Sequence, residues 1–201
     1  MAKLRLIVGL GNPGKEYEGT RHNAGALFVR ELARQAGQSL TSDAKFFGQC
    51  AHITFAQQDL RLLIPSTFMN RSGQSLAAMA HFYRFMPEQI LIAHDELDIN
   101  PGQARFKHGG GHGGHNGLRD IVSALGGNKD FYRLRVGIGH PGHASRVSGY
   151  VLSKPSGADK MAIDAIIEDA IRALPLLLAG DLVKAMTQLH SIEPPGQSPA
   201  N

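Results

Sequence analysis

Residues 3–10 alternate and then run apolar, the pattern of a strand covered on both faces. Behind them, residues 9–14 make a turn around Asn12-Pro13-Gly14. Residues 23–35 place Ala26, Leu27, Val29, Leu32 and Ala33 near helical spacing, and Gly37 ends that run. Two strand-like stretches, 46–55 and 60–64, are joined through 56–59 as in a hairpin, and Pro65 stops the second. Residues 72–84 read as a helix with Leu76, Met79, Ala80 and Tyr83 on one face. A short apolar strand over 89–93 ends at His94-Asp95-Glu96, and 103–107 suits another. The glycine run over 109–114 cannot be regular structure. A short helix over 116–125 follows, with Asn116 as its N-cap, then a strand over 132–138. Residues 158–179 form a long helix that Pro175 is expected to bend or divide, and 181–190 a last short one.

Strands alternate with helices, yet some strands are neighbours in the chain. The expectation is therefore one α/β domain over 1–191, a mixed twisted sheet surrounded by helices. Residues 192–201 hold three prolines and are expected to fray. With 201 residues, 42% of them hydrophobic, the chain can bury a core, which rules out wholesale disorder. No run approaches the roughly 18 apolar residues of a membrane helix. Cys50 is the only cysteine, so no internal disulfide forms, and its apolar strand argues for an inert thiol. The first apolar run stops at Asn12-Pro13 without a small-residue cleavage site, so the reading is a cytoplasmic protein with no membrane partner.

Charge is distributed unevenly. The net charge is +4, but residues 101–150 hold seven Lys/Arg against two acids. The same stretch holds 13 of the 24 glycines and five of the ten histidines. A glycine-rich basic segment suits close approach to phosphates, and it also suits a solvated basic face with loop glycines.

Gly9-Leu10-Gly11-Asn12-Pro13-Gly14 fits G-x-G-x-x-G, but helical periodicity begins only after His22, so a tight turn presenting Asn12 is preferred to a dinucleotide site. His22 stands at the mouth of a helix, and histidine is the natural general base near neutral pH. Asp95 closes a strand, and sites in open α/β sheets form beyond strand carboxyl ends. If both enter one crevice, Asp95 can orient the imidazole and stabilise its protonated form. Phe68, Met69 and Asn70 follow a strand and suit an apolar floor with one polar contact, or simply core. The run from His108 to Gly117 has too many glycines for a rigid metal shell. An anion contact at the following helix N-terminus is preferred. Nucleophile-elbow, P-loop, zincin and C-x-x-C motifs are absent, which leaves water activated directly by a base as the route for a hydrolase.

Gly9-Leu-Gly-Asn-Pro-Gly14, Thr20-Arg-His-Asn-Ala-Gly25, Thr67-Phe-Met-Asn70, His94-Asp-Glu-Leu97, the glycine run ending His115-Asn116-Gly117, and Arg135-Val-Gly-Ile-Gly-His-Pro141 occur in this order. Together with Tyr17 they resemble the bacterial-type peptidyl-tRNA hydrolases over residues 3–190. The resemblance implies a monomeric α/β enzyme without metal or cofactor. Such an enzyme cleaves the ester between a peptide and the 3′-ribose of tRNA, with peptidyl-tRNA and not DNA as its partner. It further implies His22 as catalytic base, Asp95 as its partner, and Asn12 as a substrate contact that helps reject unblocked aminoacyl-tRNA. Asn70 and Asn116 would bind the peptide and 3′-end, with Tyr17, Phe68, Met69 and His115 around them. Lys107 and Arg135 would clamp the tRNA 5′-phosphate.

The chemistry is consistent. An activated ester needs a base and an oxyanion donor but no covalent nucleophile. The amides of Asn12, Asn70 and Asn116, or a backbone N–H, are all open as that donor. Asparagine carbonyls would accept from a blocked peptide's N–H, whereas a free ammonium needs fuller solvation or an anion. Two other classes stand beside this reading. One is a non-catalytic RNA-binding protein, and the other is a dinucleotide-dependent enzyme using residues 9–14.

Overall fold

The computed structural model describes residues 1–192. Its strands are β1 (Leu6–Gly9), β2 (Thr41–Asp43), β3 (Gly48–Phe55), β4 (Gln58–Pro65), β5 (Ile90–Glu96), β6 (Ala104–His108) and β7 (Tyr132–Gly137). Its helices are α1 (Ala24–Gln35), α2 (Ser72–Tyr83), α3 (Asn116–Ala124), α4 (Val147–Val151), α5 (Gly157–Leu178) and α6 (Leu182–His190). The strands make one sheet in the order β2-β3-β4-β1-β5-β7-β6. The four central strands, β4, β1, β5 and β7, run parallel, and antiparallel neighbours close both ends. This is the expected mixed α/β sheet.

Successive residues of the central strands enter opposite cores, because side chains alternate across a pleated sheet. Ile7, Leu91 and Ala93 join Leu134 beneath α1, α5 and α6. Leu6, Val8, Ile90 and Ile92 join Leu76 and Ile121 of α2 and α3 on the other side. Both faces are covered, so these strands read as unbroken apolar runs rather than as alternation.

Several expectations are corrected. β5 runs on through His94, Asp95 and Glu96, because β7 pairs with them in register, His94 with Arg135 and Asp95 with Val136. A polar stretch at a strand's end gives no sign of such a partner. The strand expected from residue 46 begins at Gly48, after a 3-10 turn over Ala44–Phe46. The edge strand β2 is Thr-Ser-Asp, too polar for its pattern to mark it. Helix α4 was likewise unmarked. Helix α5 continues undivided through Pro175, which lies in its last turn, so one ladder bond is lost but little helix lies beyond it to be displaced. The cap of α3 is His115 and not Asn116, which is the first helical residue. The fraying expected over 192–201 lies outside the described residues except at Ile192, which is half-buried against the core.

One contact sets where α1 begins. A Cβ on Gly25 would lie 2.1 Å from the Ala93 carbonyl oxygen of β5, and one on Gly9 would lie 2.4 Å from the Gly25 carbonyl oxygen. The helix therefore starts directly on the backbone of β1 and β5. Ala26 N–H donates to the Leu10 carbonyl at 3.0 Å, and Leu10 N–H donates to the Ala93 carbonyl at 3.0 Å. Gly25→Ala is expected to lower stability by about 2 kcal/mol or more through overpacking, read as a fall in the denaturant midpoint at unchanged m. A midpoint within error of the parent would show that the helix and sheet can separate freely here.

Candidate active site

Parallel strands place their carboxyl ends along one edge of the sheet, and the loops leaving that edge enclose a cleft of about 1130 Å³. Asn12 reaches it from the loop after β1 and His22 from the 3-10 turn before α1. Phe68, Met69 and Asn70 follow β4, while Asp95 comes from β5 itself. His115 and Asn116 come from the start of α3, and Val147 and Val151 of α4, with Leu152 just after it, close the far wall. Arg21 ties α4 to the turn of His22. Its Nη1 donates to the Tyr150 carbonyl at 3.2 Å, and its guanidinium lies 4.0 Å from the Tyr150 ring centroid.

Asp95 is only 4% exposed and lies between two imidazoles. His22 Nδ1 is 2.8 Å from Oδ2, and His115 Nε2 is 2.7 Å from Oδ1. The proton positions follow from the other bonds. His115 Nδ1 accepts from the N–H groups of Gly117 and Leu118 at 3.1 and 3.3 Å, so its proton must sit on Nε2, which donates to Asp95. Against an ionised Asp95, His22 is the Nδ1–H tautomer, and its Nε2 has no protein partner among the described residues. Burial works to raise the Asp95 carboxyl, yet the facing His115 and His22 hold it well below the usual carboxylate range. Although these three groups lie within 4.8 Å of one another, the fixed proton on His115 Nε2 makes them a hydrogen-bonded set rather than metal donors.

This arrangement separates the two histidines. Both nitrogens of His115 are occupied. His22 keeps a free lone pair in the cleft, with a carboxylate behind it to stabilise the imidazolium.

The asparagines differ in the same way. Asn12 and Asn23 form a cyclic pair: Asn12 N–H donates to Asn23 Oδ1 at 2.8 Å, and Asn23 Nδ2 donates to the Asn12 carbonyl at 3.0 Å. The side-chain Oδ1 of Asn12 accepts from the Met69 N–H at 2.7 Å, which leaves its Nδ2 as the cleft-facing group. Asn116 Oδ1 accepts from Arg119 at 3.0 Å. Asn70 makes no side-chain hydrogen bond among the described residues. Met69 is 4% exposed and part of the core, and Tyr17 meets the exposed Phe68 edge-on at 6.3 Å.

The sequence profile of the peptidyl-tRNA hydrolases matches residues 6–197. The chain belongs to this family. It is 58% identical over 193 residues to a peptidyl-tRNA hydrolase of Shewanella halifaxensis, covering 96% of this chain and 100% of the relative. It is 60% identical over 191 residues to one from Pseudomonas putida, covering 95% and 98%. A crystal structure of the Acinetobacter baumannii peptidyl-tRNA hydrolase superposes with a TM-score of 0.92 at 52% identity, covering 96% of this chain and 98% of that one.

In this member of the peptidyl-tRNA hydrolase family, every residue singled out from sequence lines the same cleft. Lys107 and Arg135 stand at its β6–β7 end. Cross-strand pairing sets Lys107 opposite Arg133 and Arg105 opposite Arg135, so four cations share one sheet face. Arg135 Nε is engaged by Glu96 Oε1 at 2.8 Å. Arg133 is 3% exposed and turns its guanidinium to the carbonyls of Gly110 and Gly111. The anion contact expected at the α3 N-terminus meets competition from the His115 cap, whose side chain already takes the N–H groups of Gly117 and Leu118. The turn after β1 opens no helix, only a 3-10 turn over Lys15–Tyr17, so residues 9–14 are not a dinucleotide cradle. Sequence reasoning passed over Asn23, His94, Arg105, Arg119 and Arg133. Equal parity of the cations along 103–107 and 131–135 was the available signal for Arg105 and Arg133. Asn23 and His94 stand inside two of the motifs quoted for the resemblance but were given no role, and nothing in the sequence marked Arg119.

His94 lies behind Asp95, 2% exposed, with Nδ1–H donating to the Asp95 carbonyl at 2.8 Å and Nε2 without a partner. Burial pushes this imidazole down to about 3, His115 and Arg133 adding to the shift and Asp95 opposing it. Between that value and the ordinary 6.5 the unfolded chain binds a proton that the folded one refuses. Stability is therefore lost as pH falls through 6.5. His94→Asn, which keeps a donor toward the carbonyl but does not titrate, is expected to flatten the fall of Tm between about pH 6.5 and 4.5. A slope equal to that of the parent would assign the acid sensitivity elsewhere.

Proposed function

We propose that this chain hydrolyses the ester linking a peptide, or an N-blocked aminoacyl group, to the 3′-ribose of tRNA, releasing tRNA for reuse. The observation that carries this reading is the His22–Asp95–His115 set. It leaves one imidazole nitrogen free, in a cleft with an amide donor beside it and cations at its far end. His22 Nε2 takes the proton from water as its oxygen attacks the ester carbonyl. Asp95 stabilises the imidazolium that forms, and the same proton then passes to the departing ribose oxygen. Asn12 Nδ2, turned to the cleft by Met69 N–H, donates to the developing oxyanion.

Selectivity follows from which amide atoms remain. The idea that all three asparagines accept from the peptide is narrowed: Asn12 is a donor to the substrate, Asn116 spends a carbonyl lone pair on Arg119, and Asn70 retains a free acceptor. An N-acylated substrate supplies carbonyl oxygens to such donors, whereas a free aminoacyl end supplies only a cationic ammonium, with Asp95 already engaged. Tyr17, Phe68, Met69 and Asn70 hold the peptide side, and Asn116 holds the 3′-end. Lys107 and the free guanidinium nitrogens of Arg135 take a tRNA phosphate, giving contact that does not depend on sequence.

Release of N-acetyl-aminoacyl groups from tRNA in EDTA, beside unblocked aminoacyl-tRNA, tests the reading. The parent is expected to cleave the blocked substrate selectively. His22→Ala should lose about 10²–10⁴-fold in kcat with little change in tRNA affinity. His115→Asn should lose less, because it supports Asp95 without moving the proton. Binding of tRNA without cleavage by the parent would instead favour a non-catalytic RNA-binding protein. Lys107→Ala and Arg135→Ala should raise KM and make its log–log salt dependence shallower by about one unit per lost phosphate contact. A minimal ester without the tRNA body should be unaffected, and equal damage to both substrates would assign these residues to the fold.

A further inference from the structure

A second cavity, about 400 Å³, lies behind the loop that carries Asn12. Its floor is apolar, built from Ala26 and Leu27 of α1, Ile64 of β4, Ile163 of α5 and Pro155. Its rim is polar, with Lys15, Glu18 and Ser66 making no side-chain hydrogen bonds among the described residues. Asn12 lines both this cavity and the catalytic cleft. The turn after β4 is also shared: Pro65 and Ser66 line the second cavity, while Phe68 and Asn70, just beyond, line the cleft.

The order of strands gives this pair of cavities a direction. Toward the carboxyl edge of the sheet, β7 presents Arg135, with Lys107 of β6 lining the same cleft one step further from the edge, β5 presents Asp95, β1 leads to Asn12, and β4 ends at Pro65. Gln49, on β3 opposite Ile64, extends the same line. Cations therefore stand at one end, the base and carboxylate in the middle, and an apolar chamber with a polar rim at the other. A substrate whose polyanionic part binds at β6–β7 and whose ester lies at His22 must send its peptide past Asn12 toward β4. We infer that the second cavity receives the peptide residues upstream of the one esterified to tRNA. This rests on the reading of the cleft as a peptidyl-tRNA site.

An apolar floor of branched side chains and prolines accepts varied side chains, because dispersion and water exclusion are not directional. The unpartnered groups on the rim can satisfy the amide groups of a passing chain without reading its sequence. Longer peptides would thus gain affinity through this chamber, whereas a single blocked residue would be held by the cleft alone.

Two substrates carrying the same 3′ residue distinguish the parts: N-acetyl-aminoacyl-tRNA and N-acetyl-pentapeptidyl-tRNA. Leu27 is 39% exposed on α1, so Leu27→Trp, which fills the chamber, and Leu27→Glu, which charges its floor, leave the core intact. Lys160→Trp on the opposite rim gives the same reading should a Leu27 variant fail to fold. The expected result is a KM for the pentapeptidyl substrate raised about fivefold or more, with kcat and the N-acetyl-aminoacyl KM unchanged. Unchanged KM for both substrates, or equal rises for both, would overturn the inference while leaving the hydrolase reading in place. Altered self-association of the variants with hydrolysis unchanged would assign the chamber to contact between copies and overturn it too. Failure of the parent to cleave either substrate would overturn the hydrolase reading and, with it, this one.

Discussion

The approach of α1 to the sheet backbone at Gly25 governs the rest of the site. Glycine is required there because the Ala93 carbonyl occupies the space of a Cβ. Ala93 is two residues before Asp95 on β5, and His22 is three residues before Gly25 in the turn that leads into α1. Docking the helix start on the strand therefore brings imidazole and carboxylate together without a flexible linker between them. The same first turn supplies Asn23, whose amide grips both backbone polar groups of Asn12. The proposed base, its carboxylate and the proposed donor amide thus share a single rigid origin in two interlocked elements. This is the condition under which a fixed arrangement of dipoles can favour a transition state at no reorganisation cost.

Asp95 converts that placement into chemical differentiation. A buried carboxylate is tolerated only when its oxygens are fully engaged, and here two imidazoles engage them. The α3 N-terminus then decides between the rings. It draws the lone pair of His115 Nδ1 and leaves that of His22 Nε2 unspent. Two histidines five ångströms apart, centroid to centroid, thereby acquire different roles from hydrogen bonding alone. His94, on the far side, stays neutral by burial, so no second positive charge competes for the carboxylate.

Much of this was legible in the chain, and the limits were physical. Apolar runs at 6–9 and 90–93 identified the buried parallel strands, and the stripe of α5 identified a core helix. Signals that depend on a partner were not legible. The edge strand β2 carries no apolar pattern, and β5 continues through three polar residues only because β7 pairs with them. His22, Asp95, Asn12, Asn70 and Asn116 were singled out because their motifs resemble a family. Their separation in sequence gave no distance, and an asparagine has no visible flip until its neighbours are placed. The assignment of Asn12 as donor rests on the Met69 N–H, 57 positions away. Asn116 as a cap was the reasonable local reading. It failed because histidine, a less frequent cap, had a second use for its other nitrogen.

The antiparallel ends of the sheet serve a different purpose from its parallel centre. A parallel strand delivers only its carboxyl end to the active edge, but the β6–β7 pair turns a whole face outward there. Residues of one parity on both strands then add their charges: Arg105 and Lys107 on one, Arg133 and Arg135 on the other. Four cations on one face would repel one another and disorder the loop beside them. Glu96 answers Arg135, and the carbonyls of the glycine loop answer Arg133. The glycines, which first suggested N–H groups presented to an anion, instead turn carbonyls inward to a guanidinium. The loop that carries His115 toward Asp95 is thus anchored by the same basic strand pair that forms the cationic end of the cleft. In the proposed reading, charge for a polyanion and position for the His22–Asp95–His115 set are coupled through the buried Arg133.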